Sequence, residues 1–262
     1  MYGEQAGKNP MDLELNSLLQ SVQEAGKAIL SLQKTGFDVM EKANNDIVTQ
    51  ADLLANDILK TQLTKAFPDY GWLSEESVDD PERLACHRVW IVDPIDGTKE
   101  YAQGRAEYAI SVALVEDGIP IIAAVFNPAT DELFHAMRGK GAWLGKKKLA
   151  CNRTVSSEGL LLLASRSEYE RGEWDPYQQN HAVKQVGSIA YKLALVAAGE
   201  AHATFSLGPK NEWDIAGGTL LVLEAGGVVT DRRKHALMFN RKEVVVDGVV
   251  AMANHVSIEL YD

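Results

Sequence analysis

The chain has 262 residues, 46% of them hydrophobic and 24% charged, with a formal net charge of −11. That length suits one large domain or two closely packed halves, and the charged share is too low for disorder. A net acidic chain excludes wrapping of a nucleic-acid polymer, which needs a basic surface, but not a small anionic substrate, because a bound cation reverses the local sign. No apolar run is long enough to span a membrane, and the polar opening MYGEQAGKNP has no apolar signal core. The two cysteines, Cys86 and Cys151, make no disulfide framework. Together these features point to a reduced, cytoplasmic setting. Cys86-His87 is an adjacent pair without further ligands and is not read as a metal site.

Leu15, Leu18, Leu19, Val22, Ala25, Ile29 and Leu32 recur at helical spacing and predict an amphipathic helix that stops near Gly36. A second helical pattern, Leu54, Ala55, Ile58, Leu59 and Leu63, ends before Pro68 and puts Asp52 in its first turn, after Thr49. From Trp72 the texture is that of strands. Val89 to Val92 is β-branched and apolar, and Tyr108, Ile110, Val112 and Leu114 alternate with smaller residues. Asp117-Gly118 signals a hairpin turn, after which Ile121 to Phe126 returns. Shorter strands are expected at Leu133 to Ala136 and Ala142 to Leu144, around Gly139 and Gly141, and at Leu160 to Ala164. The later half alternates more regularly. It reads as a helix Ile189 to Ala198 closed by Gly199, a strand Ala203 to Ser206, a helix Ile215 to Ala225 closed by Gly226-Gly227, and strands Val228 to Thr230 and Val249 to Met252. No linker or repeat divides the chain. The reading is one domain over 1–262, with an α+β half to about 150 and an α/β half beyond it.

The chemistry concentrates in VWIVDPIDGTKE, Val89 to Glu100. An apolar strand delivers Asp93 to its end, Pro94 fixes its own φ and removes a donor, Gly97 permits a sharp turn, and Thr98 suits a cap. Asp93 and Asp96 then point to one place. Two unpaired carboxylates repel, and a hard cation such as magnesium removes that cost, with the Ile95 carbonyl as a further oxygen ligand. An Asx-turn is the plainer reading, and the stretch alone does not decide between them. Three other stretches bear on it. GWLSEES carries Glu75 and Glu76, which alone would read as a solvated loop. DIVTQAD, Asp46 to Asp52, offers Asp52, which alone would stabilise a helix N-terminus. In EWDIAGGTLLVLEAGG, Asp214 opens an apolar helix, Trp213 can wall a pocket, and Ala216, Gly217 and Gly218 leave a bare turn for another backbone or a phosphate. Glu224 is assigned to structure.

In that order, DIVTxxD, EES, WIVDPIDGT and WDxAG resemble the inositol monophosphatase superfamily of metal-dependent, lithium-sensitive phosphatases, over nearly the whole chain. The resemblance implies an αβαβα sandwich of layers, a homodimer, and magnesium-dependent removal of phosphate from a small sugar, polyol or nucleotide. It implies about two or three magnesium ions per site. Glu75, Asp93 and the Ile95 carbonyl would ligate one ion, and Asp93, Asp96 and Asp214 a second. Thr98 and Asp52 would orient the attacking water, supported by Glu76. Gly97, Thr98, Lys99, Arg166, Gly187, Ser188, Lys210 and Asp214 would meet the substrate.

The stretch DGTKEY resembles the 3'(2'),5'-bisphosphate nucleotidases, whereas typical inositol monophosphatases carry Thr-Asn-Phe after the Gly. Ser165-Arg166-Ser167 and GPKNEWD, Gly208 to Asp214, resemble the nucleotidases too. Inositol-specific members place a hydroxyl-reading glutamate where this chain has Leu207. Against this, Lys192 in GSIAYK falls one place later than the nucleotidase lysine, and a solvated helix residue is the alternative reading of it. The favoured function is removal of the 3'-phosphate of adenosine 3',5'-bisphosphate. Inositol-1-monophosphatase or a broad sugar-phosphate phosphatase is the alternative. A catalytically inactive metal-binding scaffold remains, since fold alone does not establish function.

Overall fold

The computed structural model describes residues 10–41, 47–152, 154 and 159–261. Asp46, which opens the DIVTQAD stretch, lies outside the described residues. Helix α1 (Pro10–Thr35) buries Leu18, Val22, Ala25 and Ile29 along one stripe, and Gly36 ends it with a φ of +97°, a conformation that favours a residue without Cβ. A ribbon of β1 (Val39–Glu41) and β2 (Ile47–Thr49) leads into α2 (Gln50–Ala66). Among the described residues no helix is long and apolar enough to cross a membrane.

The chain then lays down β3 (Gly71–Ser74), a 3-10 turn at Pro81–Ala85, β4 (Arg88–Asp96), short helix α3 (Thr98–Ala102), β5 (Ala109–Glu116), β6 (Ile119–Asn127), β7 (Glu132–Met137), β8 (Gly141–Leu144) and β9 (Lys147–Lys148). Strands β3 to β9 form a seven-stranded sheet in chain order. The β3–β4 pair is parallel, and its other pairings are antiparallel. The β5–β6 hairpin turns on Asp117 and Gly118 at φ values of +49° and +82°, the geometry expected of an Asp-Gly turn. Large residues of β5 (Ile110, Val112, Leu114) join the core under α1 and α2, while Ala109, Ala113 and Val115 join a second core on the opposite face. Both faces are covered, so the strand has no polar side.

The second half supplies β10 (Leu161–Ala164), short helices α4 (Arg166–Glu170) and α5 (Asp175–Gln178), β11 (Ala182–Gln185), α6 (Ile189–Ala197), β12 (Ala203–Ser206), β13 (Lys210–Asn211), α7 (Glu212–Glu224), β14 (Gly227–Thr230), β15 (Val245–Val246) and β16 (Val249–Ala253). Its main sheet has five strands in the order β11-β10-β12-β16-β14. Helices α6 and α7 lie between the two sheets. Trp174 and Tyr177 from the α5 region pack on Phe205 of β12, with ring centroids 4.2 and 4.8 Å apart. The layers run helix, sheet, helix, sheet, helix, as expected.

Several details differ from the sequence reading or refine it. Strand β4 runs on through Asp96, and α7 begins at Glu212 rather than Ile215. Helices α4 and α5 and strand β11 were not foreseen, because segments of four or five residues show no period. The bare turn of α7 serves protein packing. A Cβ on Gly217 would stand 2.8 Å from Ser111 Oγ of β5, and one on Gly218 would stand 2.5 Å from Leu193 Cβ of α6. Glu224 is structural: its carboxylate accepts the amides of Gly139 and Gly141 at 2.8 Å each. His87 turns to Asp117 at 3.0 Å, and neither Cys86 nor Cys151 is in a disulfide.

Gly218→Ala tests the packing of α6 on α7. Alanine favours a helix over glycine by about 1 kcal/mol. The overlap with Leu193 outweighs that gain, so the expected net result is a loss of about 1–3 kcal/mol in urea denaturation. A variant more stable than wild type would show that the helices separate freely.

Candidate active site

A cavity of about 450 Å³ opens where β4 delivers Asp93 and Asp96. Strands β3 and β4 are parallel, with Ser74 opposite Val92, so the chain leaves both strands at the same edge. The Glu75 amide bonds the Val92 carbonyl at 3.2 Å, which sets Glu75 beside Asp93. Residues three apart on a regular strand face opposite ways. Here Asp93 pairs with Ser111 but Asp96 pairs with Ala109, so β4 spends three steps where β5 spends two. The extra residue is a bulge that resets the alternation, and both aspartates line the cavity. Pro94 is suited to that irregular stretch because it has no N–H to offer a ladder. The Ile95 amide is satisfied by Asp93 Oδ1 at 3.0 Å.

The C-terminal half brings the remaining groups. Asp214 stands in the first turn of α7, where its Oδ2 accepts the Asn211 amide at 2.9 Å. Asp96 Oδ2 accepts the Ser188 hydroxyl at 2.5 Å and the Ala190 amide at 2.6 Å, which seats it on the N-terminus of α6. Burial, and then Glu75, Asp96 and Asp214, hold the Asp93 carboxyl well above the usual carboxylate range. Burial and the Asp96 charge push Asp214 up to about 8, against the Asn211 hydrogen bond. Burial raises Asp96 too, opposed by its bonds from Ser188 and Ala190 and by Lys192. As the chain is folded here, no group of three or more His, Cys, Asp or Glu side chains among the described residues is arranged as a formed metal cage. The donor chemistry nevertheless fits a hard cation. Asp93, Asp96 and Asp214 each commit one carboxylate oxygen to an amide or hydroxyl, which leaves the other oxygen for an ion.

Asp52 does two things at once. Its Oδ2 accepts the Thr49 amide and hydroxyl at 2.7 and 2.6 Å, closing a capping box at the start of α2. Its Oδ1 accepts the Thr98 hydroxyl at 2.9 Å. Thr98 is thereby drawn away from the capping expected of it, and Gly97, at φ +94°, takes the N-cap position of α3 instead. A Cβ at Gly97 would stand 3.1 Å from the Glu107 carbonyl. Burial raises the Asp52 carboxyl against these hydrogen bonds. Glu75, Ile95, Gly97 and Thr98 line the cavity, but Glu76, in the turn beside Glu75, does not.

Lys99, Arg166, Lys192 and Lys210 also line the cavity, with Glu100, Glu168 and Glu170 among them. Arg166 pairs with Glu107, and Lys210 Nζ stands 3.9 Å from Glu168 Oε1. Ser188 reaches the cavity with its hydroxyl engaged on Asp96, and the Gly187 amide is engaged by Glu107 at 3.3 Å. The reading of Lys192 as a solvated helix residue is overturned: it is 1% exposed and lines the cavity. Burial lowers its ammonium to about 8, against the pull of Glu168, Asp96 and Glu100. Two functional neighbours were missed. Glu168 follows Ser165 at capping-box spacing, a signal that could have marked a helix start but not a place in the cavity. Glu212, fully buried before Asp214, accepts the Asn240 and Arg241 amides at 2.6 and 3.1 Å.

The layered α+β scaffold is shared with a known family of proteins. Residues 13–259 match the model of the inositol monophosphatase family. The chain is 36% identical to Nus factor SuhB of Xylella fastidiosa, over 83% of this chain and 81% of that protein. It is 37% identical to inositol-1-monophosphatase of Rhizobium meliloti, over 83% and 85% respectively. It is 33% identical to 3'(2'),5'-bisphosphate nucleotidase CysQ of Shigella flexneri, over 87% and 95%. Among solved structures, the suhB protein of Bartonella henselae superposes with a TM-score of 0.80 at 28% identity, covering 93% of this chain and 95% of that one. CysQ of Bacteroides thetaiotaomicron superposes with a TM-score of 0.76 at 26% identity, covering 92% and 97%. The chain belongs to the inositol monophosphatase family, and with it to the phosphoric monoester hydrolases.

The raised carboxyls make a pH prediction for the protein in chelator. Carboxyls whose folded pKa lies above the unfolded value keep protons that the unfolded chain has released, so their contribution to stability falls as pH rises from about 4 toward 8. Asp214→Asn removes one such group. Its melting temperature in chelator should exceed that of wild type by about 4 °C or more at pH 8, and the gap should close toward pH 4. A variant less stable than wild type at pH 8 would show that the carboxylates do not strain the fold.

Proposed function

We propose that this chain is a magnesium-dependent phosphomonoesterase that transfers a phosphoryl group from a small hydroxylated alcohol to water. The observation that supports it most is the meeting of Glu75, Asp93, Asp96 and Asp214 in one cavity that Lys99, Arg166, Lys192 and Lys210 also line. Glu75, Asp93 and the Ile95 carbonyl would hold one ion, and Asp93, Asp96 and Asp214 another. Bound magnesium would neutralise these carboxylates, acidify coordinated water and polarise the phosphoryl oxygens. The chain's own groups would do the rest. With its proton donated to Asp52, the Thr98 oxygen presents lone pairs to an attacking water and relays that water's proton to Asp52 Oδ1. The raised Asp52 carboxyl suits it to receive the proton. Gly97 and Thr98 would offer backbone N–H groups to the phosphoryl oxygens as charge develops.

For the leaving alcohol we place adenosine 3',5'-bisphosphate first. DGTKEY and GPKNEWD support it. Inositol 1-phosphate is the second reading, favoured by Glu168, a carboxylate near Leu207 that the sequence alone did not offer. A phosphate-release panel of adenosine 3',5'-bisphosphate, inositol 1-phosphate and fructose 1,6-bisphosphate, with and without magnesium, tests both levels. Release should require magnesium, and kcat/KM should be highest for the nucleotide. No release from any ester would refute the phosphatase reading. A value for inositol 1-phosphate equal to or above that of the nucleotide would promote the second one.

Two variants test the roles. Asp93→Asn should abolish turnover while the fold persists, because Asp93 is placed as ligand to both ions. Near-normal turnover at saturating magnesium would rule out that bridging role. Thr98→Ala should lower kcat by roughly a hundredfold with a smaller change in KM, since orienting water matters in the transition state. A raised KM with unchanged kcat would make Thr98 a substrate contact.

A further inference from the structure

The cations that line the cavity have a buried carboxylate among them. Glu168 comes from α4, Lys192 from α6 and Lys210 from β13, three separate segments. Glu168 is 4% exposed and Lys192 is 1% exposed, yet both line the cavity. The Ser206 hydroxyl donates to Glu168 Oε1, and the Ser165 hydroxyl accepts the Glu168 amide at 3.2 Å. Burial alone would raise the Glu168 carboxyl, but Lys192, the Ser206 bond, Lys210 and the Ser165 hydroxyl together hold it below the ordinary range. The side chain therefore stays a carboxylate at neutral pH, an acceptor without a proton to give.

This group of side chains is incomplete in a revealing way. Glu168 Oε2 is buried without a hydrogen-bond partner among the described residues. Arg166 Nη1, two residues away, is a buried donor in the same condition. Buried polar groups are rarely left so. A second phosphate would meet the donors only, and would bring its charge against Glu168. A hydroxyl meets both kinds of group, because it accepts from an ammonium or guanidinium while it donates to a carboxylate.

We infer that Glu168, held by Ser206 and flanked by Lys192 and Lys210, is a specificity-determining residue that reads a hydroxyl of the leaving alcohol close to the ester carbon. This rests on the phosphatase reading above, and it holds for a ribose, an inositol or a smaller polyol alike. It replaces the expectation that Leu207 leaves the cavity without a hydroxyl-reading carboxylate. The carboxylate arrives from another segment, onto Ser206, the residue next to Leu207.

Glycerol 2-phosphate and isopropyl phosphate share one carbon skeleton and differ only in the flanking hydroxyls, so they isolate this effect. With magnesium, wild type should favour glycerol 2-phosphate in kcat/KM by about tenfold or more, the worth of a hydrogen bond to a charged group. In Glu168→Gln, glycerol 2-phosphate should lose several-fold more than isopropyl phosphate, so that the ratio falls toward one. Equal rates in wild type, or a ratio unchanged in Glu168→Gln, would overturn the assignment while leaving the phosphatase reading in place. No phosphate from either ester would overturn both. The wild-type ratio needs no variant, so a substitution that fails to fold leaves the test intact.

Discussion

Charge repulsion among carboxylates is the constraint around which this molecule is arranged. Glu75, Asp93, Asp96 and Asp214 come from two sheets' worth of chain and meet at one cavity. Burial, and then the charges of their neighbours, raise the proton affinity of Asp93 and Asp214, so the fold must hold the group together against that repulsion. It does so by giving each aspartate a partner that has no freedom to leave. Asp93 is fastened by the Ile95 amide of the bulge, Asp96 by the start of α6, and Asp214 by the start of α7. Helix N-termini carry partial positive charge, so two of the three anchors also offset some of the repulsion.

Anchoring each carboxylate separately is not enough, because Glu75 and Asp214 stand on different halves of the chain. A clasp of charged side chains joins the loops around them. Arg83, almost fully buried, pairs with Asp79 beyond the Glu75 turn and donates to Asn240 Oδ1 at 2.7 Å and to the Arg241 carbonyl at 3.1 Å. Glu212, two residues before Asp214, accepts the amides of the same Asn240 and Arg241. Breaking a buried hydrogen-bonded charge pair is costly, so this clasp resists the separation that the carboxylates favour.

The two sets of charges in the cavity have different structural origins. The acidic set is built on β4, its bulge and the first turns of α6 and α7, elements whose positions are locked by core packing such as Gly218 on Leu193. Apart from Lys99 of α3, the cations come from the short helix α4, the two-residue β13 and one side chain of α6. Short connecting segments tolerate exchange better than packed elements do. A scaffold so divided can keep one phosphate chemistry while its leaving-group contacts change. That fits a family in which relatives of 33–37% identity are called SuhB, inositol-1-monophosphatase and CysQ.

What the sequence determined by itself was whatever depends on near neighbours. Helical spacing from Leu15 to Leu32, the Asp117-Gly118 hairpin, and the capping position of Asp52 after Thr49 are all local, and all appear in the structure. The carboxylates were legible as candidates because Asp93, Asp96 and Asp214 sit in short, distinctive stretches. Only the tertiary structure decided what those side chains face. That β4 carries one residue more than β5 between Asp93 and Asp96 is a property of the pairing, invisible in either strand alone. Whether Lys192 meets the cavity or solvent stayed open in the sequence, because one helical turn cannot reveal which sheets will close over it. Glu168 and Ser206 lie 38 residues apart, and nothing in either neighbourhood announces the bond between them. Backbone propensity acts over a few residues, whereas burial and charge pairing are settled by contacts made once the layers have closed.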